Sequence, residues 1–126
     1  MTSTNPLTAR VIVNRVWQWH FGQAIVGTPS NFGILGEKPS HPKLLDWLAS
    51  TFVEEGWSLK KLHRKILLSA TWQMSSAHDE AKFAKDGDNV FLWRMNPRKL
   101  DAEIWRDSLL VASGELDSTI GGAPTT

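Results

Sequence analysis

A chain of 126 residues with 14 basic and 13 acidic side chains, a formal charge of +1 and no cysteine is sized for one hydrophobic core. It excludes disulfide frameworks, zinc-thiolate sites, iron-sulfur clusters and thiol nucleophiles. The near-neutral balance supplies no global field to draw the chain onto nucleic acid, and no apolar run approaches the roughly 20 residues that a membrane span needs.

The first predicted element is a helix from Pro6 to Phe21. Asn5 is placed to cap free amides, proline fits the first turn, and Gly22 is a natural stop. Its apolar residues Leu7, Val11, Ile12, Val13, Val16, Trp17, Trp19 and Phe21 cover most of the circumference, which predicts a central helix with neighbours on several sides. From Gly22 to His41 the composition turns to Gly, Pro, Ser, Thr and Asn with a few apolar pegs. An ordered loop is expected, with one helical turn at Thr28 to Asn31 and a length that favours function. Ser40 before His41 and Pro42 opens an amphipathic helix built on Leu44, Leu45, Leu48 and Phe52 and ending at Gly56. Ser58 caps a third helix with Leu59, Leu62, Ile66 and Leu67 on its apolar side. A short polar helix is predicted within Asp79 to Lys85, then an irregular connection from Asp88 to Pro97. Asp101 starts a last helix carrying Ile104, Trp105, Leu109 and Val111, which Gly114 stops. The expected fold class is all-α: a small helical bundle of about four main helices in one domain over residues 5–116, with a flexible tail over 117–126. Seven tryptophans with no tyrosine are read as part of a tryptophan-rich core.

Several polar residues fall where such a bundle must satisfy them internally. His20 and His63 sit among apolar neighbours, so each is expected to be partly buried as a hydrogen-bonded core residue; no metal-ligand spacing surrounds them, and no metal site is predicted. Arg10 and Asn14 interrupt the apolar surface of the first helix. With Arg15, His20 and Arg106 they make a predicted structural network, in which Arg10 or Arg15 pairs with Glu103 or Asp107 to tie the first helix to the last. Glu103 and Asp107 lie four apart and project from one helix face, where two carboxylates can bind a cation or share a proton. Ion pairing with the surrounding arginines is the plainer expectation for them. Lys60, Lys61, Arg64 and Lys65 form the one dense basic patch. Without a recognition-helix signature it does not predict nucleic-acid binding.

The order of the words Asn5-Pro6-Leu7-Thr8-Ala9-Arg10, Asn14-Arg15-Val16-Trp17, His20-Phe21-Gly22, Pro39-Ser40-His41-Pro42, Leu44-Leu45-Asp46-Trp47-Leu48, Gly56-Trp57-Ser58-Leu59-Lys60, Ser69-Ala70-Thr71-Trp72 and Leu100-Asp101-Ala102-Glu103, with Arg106-Asp107 and Ser113-Gly114, covers nearly the whole chain. In this it resembles the planctomycete domain-of-unknown-function family 1553. That resemblance implies a C-terminal domain of a large exported or periplasmic protein, often downstream of a companion domain and a cytochrome c-like module. No cofactor is expected in this chain, and heme would belong to a separate domain of the parent. The polar start and the lack of a heme-attachment motif lead us to expect a fragment of a longer precursor.

Three functional expectations follow. The first is a non-catalytic structural or interaction module that meets its companion domain or another exported protein through Phe32, Ile34, Leu35, His41 and exposed tryptophans. The alternative is a metal-assisted hydrolytic or acid-base enzyme in which His63, His41 or His20 joins Glu103 and Asp107. A weaker alternative is a docking domain for a cytochrome c-like electron-transfer partner.

Overall fold

A computed structural model describes residues 5–119 and 121. The order is α1 (Pro6–Phe21), α2 (Pro42–Glu54), α3 (Leu59–Leu67), α4 (Glu80–Phe83) and α5 (Ala102–Ser113), with no strand among the described residues. The fold is all-α, as expected. Most of the tail expected over 117–126 lies outside the described residues.

Helix α1 starts where its capping chemistry places it: Asn5 Oδ1 accepts from the Leu7 amide at 3.0 Å, and Pro6 fills the first turn. It ends at Gly22, whose φ of 80° is the left-handed cap that a side chain would resist, and the Gly22 amide donates to Gln18 O at 2.8 Å. Ser58 Oγ accepts from the Lys61 amide and caps α3. Two starts differ from expectation. His41, not Ser40, is the N-cap of α2 and makes no side-chain cap bond, and the Ser40 hydroxyl donates to Ile25 O at 3.2 Å rather than capping the helix. Asp101 occupies the N-cap of α5 without capping through its side chain.

The core lies between α1, α2 and α3. Ala9, Val13, Val16, Trp17 and Phe21 form one stripe of α1 at helical spacing. It meets Leu45, Leu48, Ala49 and Phe52 of α2, and Leu62 and Ile66 of α3, while Ile25 and Val26 close it from the long loop. Each buried Val, Leu, Ile or Phe of this set contributes about 1.5–3 kcal/mol by leaving water, and the alanines less. Leu7 and Trp19 are exposed, so α1 packs along one broad side rather than all round.

Two further expectations are corrected. The first concerns the tryptophans: only Trp17 is buried, while Trp19, Trp47, Trp57 and Trp105 are exposed. The second concerns the last helix, since among the described residues α5 packs against none of the other helices and buries no residue. The four main helices form as expected, and three of them share the core.

The long loop is ordered by side chains rather than by a helical turn. Thr28 Oγ1 donates to Asn31 O and accepts from the Glu37 amide, Asn31 Oδ1 accepts from the Gly33 amide, and a simple turn joins the Asn31 amide to Thr28 O. The irregular connection before α5 is organised around Asn89, which is 2% exposed. Its Nδ2 donates to Arg94 O and Asn96 Oδ1, and its Oδ1 accepts from the Trp93 and Arg94 amides. Its φ of 54° is a left-handed value that asparagine tolerates better than most residues. Asn89→Ala removes every one of those bonds, and a loss of about 2–3 kcal/mol in urea unfolding is the expected result.

Candidate functional site

The first helix carries two polar pins. Asn14 is fully buried; its Oδ1 accepts from the Val26 amide at 2.8 Å and its Nδ2 donates to Val26 O at 3.0 Å. The side chain acts as a missing strand partner for one loop residue, and so fixes the return of the chain across α1. One turn earlier, Arg10 Nε donates to Asp46 Oδ1 at 2.8 Å, and the guanidinium Nη2 lies 2.6 Å from the same oxygen. This pair joins α1 to α2. The expected pairing of Arg10 or Arg15 with Glu103 or Asp107 does not form: Arg15 is exposed, and Arg106 bonds its own neighbour Asp107 at 3.3 Å on the open surface of α5. A helix that stands off the core cannot reach the arginines of α1.

At the other end of α1, two of the predicted residues do come together. His20 Nε2 and His63 Nδ1 are 2.7 Å apart, joining α1 to α3, and Trp72 meets His20 edge-on at 5.2 Å. The ring centroids are 5.0 Å apart, which is the nitrogen separation plus about one ring radius at each end. The nitrogens therefore point at each other, as in a single N-H···N bond, whereas metal chelation at about 2.0 Å per bond would converge both lone pairs on a point off that axis. One proton at the contact holds the rings together, and a second would set two donors face to face. Arg98 adds charge nearby while its Nη1 donates to Trp19 O at 2.6 Å. Burial first, then the His63 ring and the Arg98 guanidinium, hold the His20 pKa below the ordinary imidazole value of 6.5.

Because the folded value is depressed, neutral His20 stabilises the fold above pH 6.5, and that contribution is lost as the pH falls through the lowered value. The urea midpoint of the wild-type chain should drop between about pH 7.5 and pH 5. In His63→Asn, where an amide oxygen accepts from His20 in either charge state, the drop should shrink. Equal drops would remove the pair as its cause.

Glu103 and Asp107 share one side of α5 as predicted, and both are exposed. No histidine joins them: among the described residues no three His, Cys, Asp or Glu side chains form a group suited to a metal ion. His41 lies elsewhere, with Nδ1 2.9 Å from Ser40 Oγ and its ring edge-on to Phe91 at 5.6 Å. It lines an open cavity of about 540 Å³ with Trp17, Ile25, Glu37, Lys38 and Leu92, and Gly27 leaves the room that the Glu37 carboxylate fills. Of the three apolar loop residues expected at a contact surface, Phe32 packs against the core, whereas Ile34 and Leu35 are 103% and 91% exposed.

The residues that sequence reasoning passed over are Asp46 and Asn89, while Arg98, expected with Arg94 and Lys99 to pin the irregular connection to the last helix, instead ties it to α1 through Trp19 O. A buried asparagine in an irregular stretch has no periodicity to betray it. The only local signal at Asn89 is its place just after Gly87 and Asp88, a composition that favours turns.

Among the described residues, α5 has no helical partner. Ile104, Trp105, Leu109 and Val111 lie with Ser108 and Ala112 on one side of the helix, opposite Glu103, Arg106 and Asp107. All four apolar side chains are more than half exposed. No helix among the described residues is long and apolar enough to cross a membrane. Neither the curated proteins nor the solved structures give a match. The model of one family does match, over residues 1–126, and on that match the chain belongs to the family described as PSD1, Protein of unknown function (DUF1553).

Proposed function

We propose that the domain is a non-catalytic interaction module that packs against another folded domain of a larger exported protein through the apolar face of α5. The exposed side chains of Ile104, Trp105, Leu109 and Val111 on a helix that touches no other helix carry this reading. An amphipathic helix gains its stability in water mainly from burying its apolar face.

The size of that face favours a tethered partner. Twelve residues make a helix only about 18 Å long, too short to supply the roughly 800 Å² per side of a stable free complex. A partner in the same polypeptide needs less area, because the effective concentration is already high. Ile34 and Leu35 of the long loop supply a second exposed apolar contact for the same class of surface.

Hydroxyl-radical footprinting tests this. Trp105 and Leu109 should label readily in the 126-residue chain and be shielded in the full gene product. Equal labelling in both would end the proposal.

A further inference from the structure

Helix α3 shows the solvent a surface that the interaction module does not use. Leu62 and Ile66 are buried against α1 and α2, which fixes the opposite side of the helix outward. That side holds Lys60, Lys61 and Arg64, all exposed and without an ion pair among the described residues, while Lys65 is neutralised by Glu55 at 2.7 Å. The three free cations are bracketed by apolar side chains: Trp57 before the helix, and Leu67 and Leu68 at its end, are all exposed.

Trp57 is held there against its own backbone preference. Its φ is 62°, directly after Gly56 at 75°, and its amide donates to Phe52 O at 2.9 Å. A bulky residue in the left-handed region is costly. The indole rests edge-on against Phe52 at 5.3 Å and stays 45% exposed. An amphipathic ring fixed beside cations and flanked by aliphatic side chains is the composition of a helix that lies on a bilayer surface.

From this placement we infer that the outer face of α3, with Trp57, Leu67 and Leu68 around Lys60, Lys61 and Arg64, is a weak, reversible contact surface for anionic lipid headgroups. Phosphate alone would satisfy the cations, and a nucleic acid would offer that as well. Leu67 and Leu68, however, gain only from an apolar phase, and a bilayer boundary presents both within about 5–10 Å of depth.

Co-sedimentation of the 126-residue chain with vesicles tests the inference at low ionic strength. Equimolar phosphatidylglycerol and phosphatidylcholine should retain the chain, and phosphatidylcholine alone should not. Each cation removed should lower the partition about fivefold, so the combined variant Lys60→Gln, Lys61→Gln, Arg64→Gln should fall by about a hundredfold. These side chains hold no contact that folding needs, and an unchanged helical circular dichroism spectrum confirms that for the variant. Trp57→Gly relaxes the backbone while deleting the indole, and should also reduce retention. Trp105→Ser with Leu109→Ser should retain vesicle binding, which separates this surface from α5. Equal binding to neutral vesicles, an unaffected triple variant, loss of binding in the α5 variant, or tighter binding to a DNA duplex than to vesicles would each overturn it.

Discussion

Replacing Asn14 by alanine is expected to lower the unfolding free energy by about 3–5 kcal/mol, a large part of the 5–15 kcal/mol typical of a domain. The side chain is fully buried and makes two bonds to Val26, at 2.8 and 3.0 Å. Alanine leaves that amide and carbonyl without partners in an apolar surround, and each orphaned buried group costs about 1–3 kcal/mol. The small void adds to this. Urea unfolding followed by circular dichroism reads the change as a lower midpoint. Asn14→Asp sharpens the test, because a carboxylate still accepts from the Val26 amide but faces the Val26 carbonyl. Burial should raise that carboxyl's pKa, so the variant should regain stability as the pH falls and the acid can donate. A wild-type midpoint in Asn14→Ala would show that the loop needs no polar pin.

Phe21→Ala should cost a comparable amount, about 3–5 kcal/mol, for a different reason. Phe21 is 0% exposed, its ring lies 4.2 Å from that of Trp17 and 5.7 Å from that of Trp72, and its carbonyl accepts from Asn96 Nδ2 at 3.4 Å. It is the point where the end of α1, the turn after α3 and the connection to α5 meet. Truncation opens a cavity that these rigid aromatic neighbours fill poorly, so relaxation recovers little. Phe21→Leu, which keeps most of the volume, should cost well under half as much. Similar midpoints for the two variants would mean that the site collapses freely and is not a packed junction.

Several helix limits were legible because they are written in local chemistry: Asn5 with Pro6, Gly22, Ser58 and Gly114 each act within one turn of their own position. The buried stripe of α1 and that of α2 follow from spacing in the same way. Tertiary pairing was not legible, since nothing local distinguishes Asp46 from Asp107 as the partner of Arg10. Both are carboxylates on helix surfaces, and the choice depends on which helix lies beside α1. The same limit explains α5. Its amphipathic pattern states that one face is apolar, and such a face is ordinarily covered by the domain's own core. The pattern does not say what covers the face. His20 and His63 were expected among apolar neighbours as hydrogen-bonded residues, but periodicity carries no information that would make them each other's partner, 2.7 Å apart.

Helix α1 is the stable axis of the domain, with Asn14 satisfied from within, whereas α5 packs against no other helix among the described residues and rests on its own backbone bonds. Amide hydrogen exchange measures that contrast residue by residue. The amides from Val13 to Phe21 should exchange only through global unfolding, and those of α5 should exchange orders of magnitude faster in the 126-residue chain. Equal protection of α1 and α5 would mean that α5 is packed as firmly as the core helix.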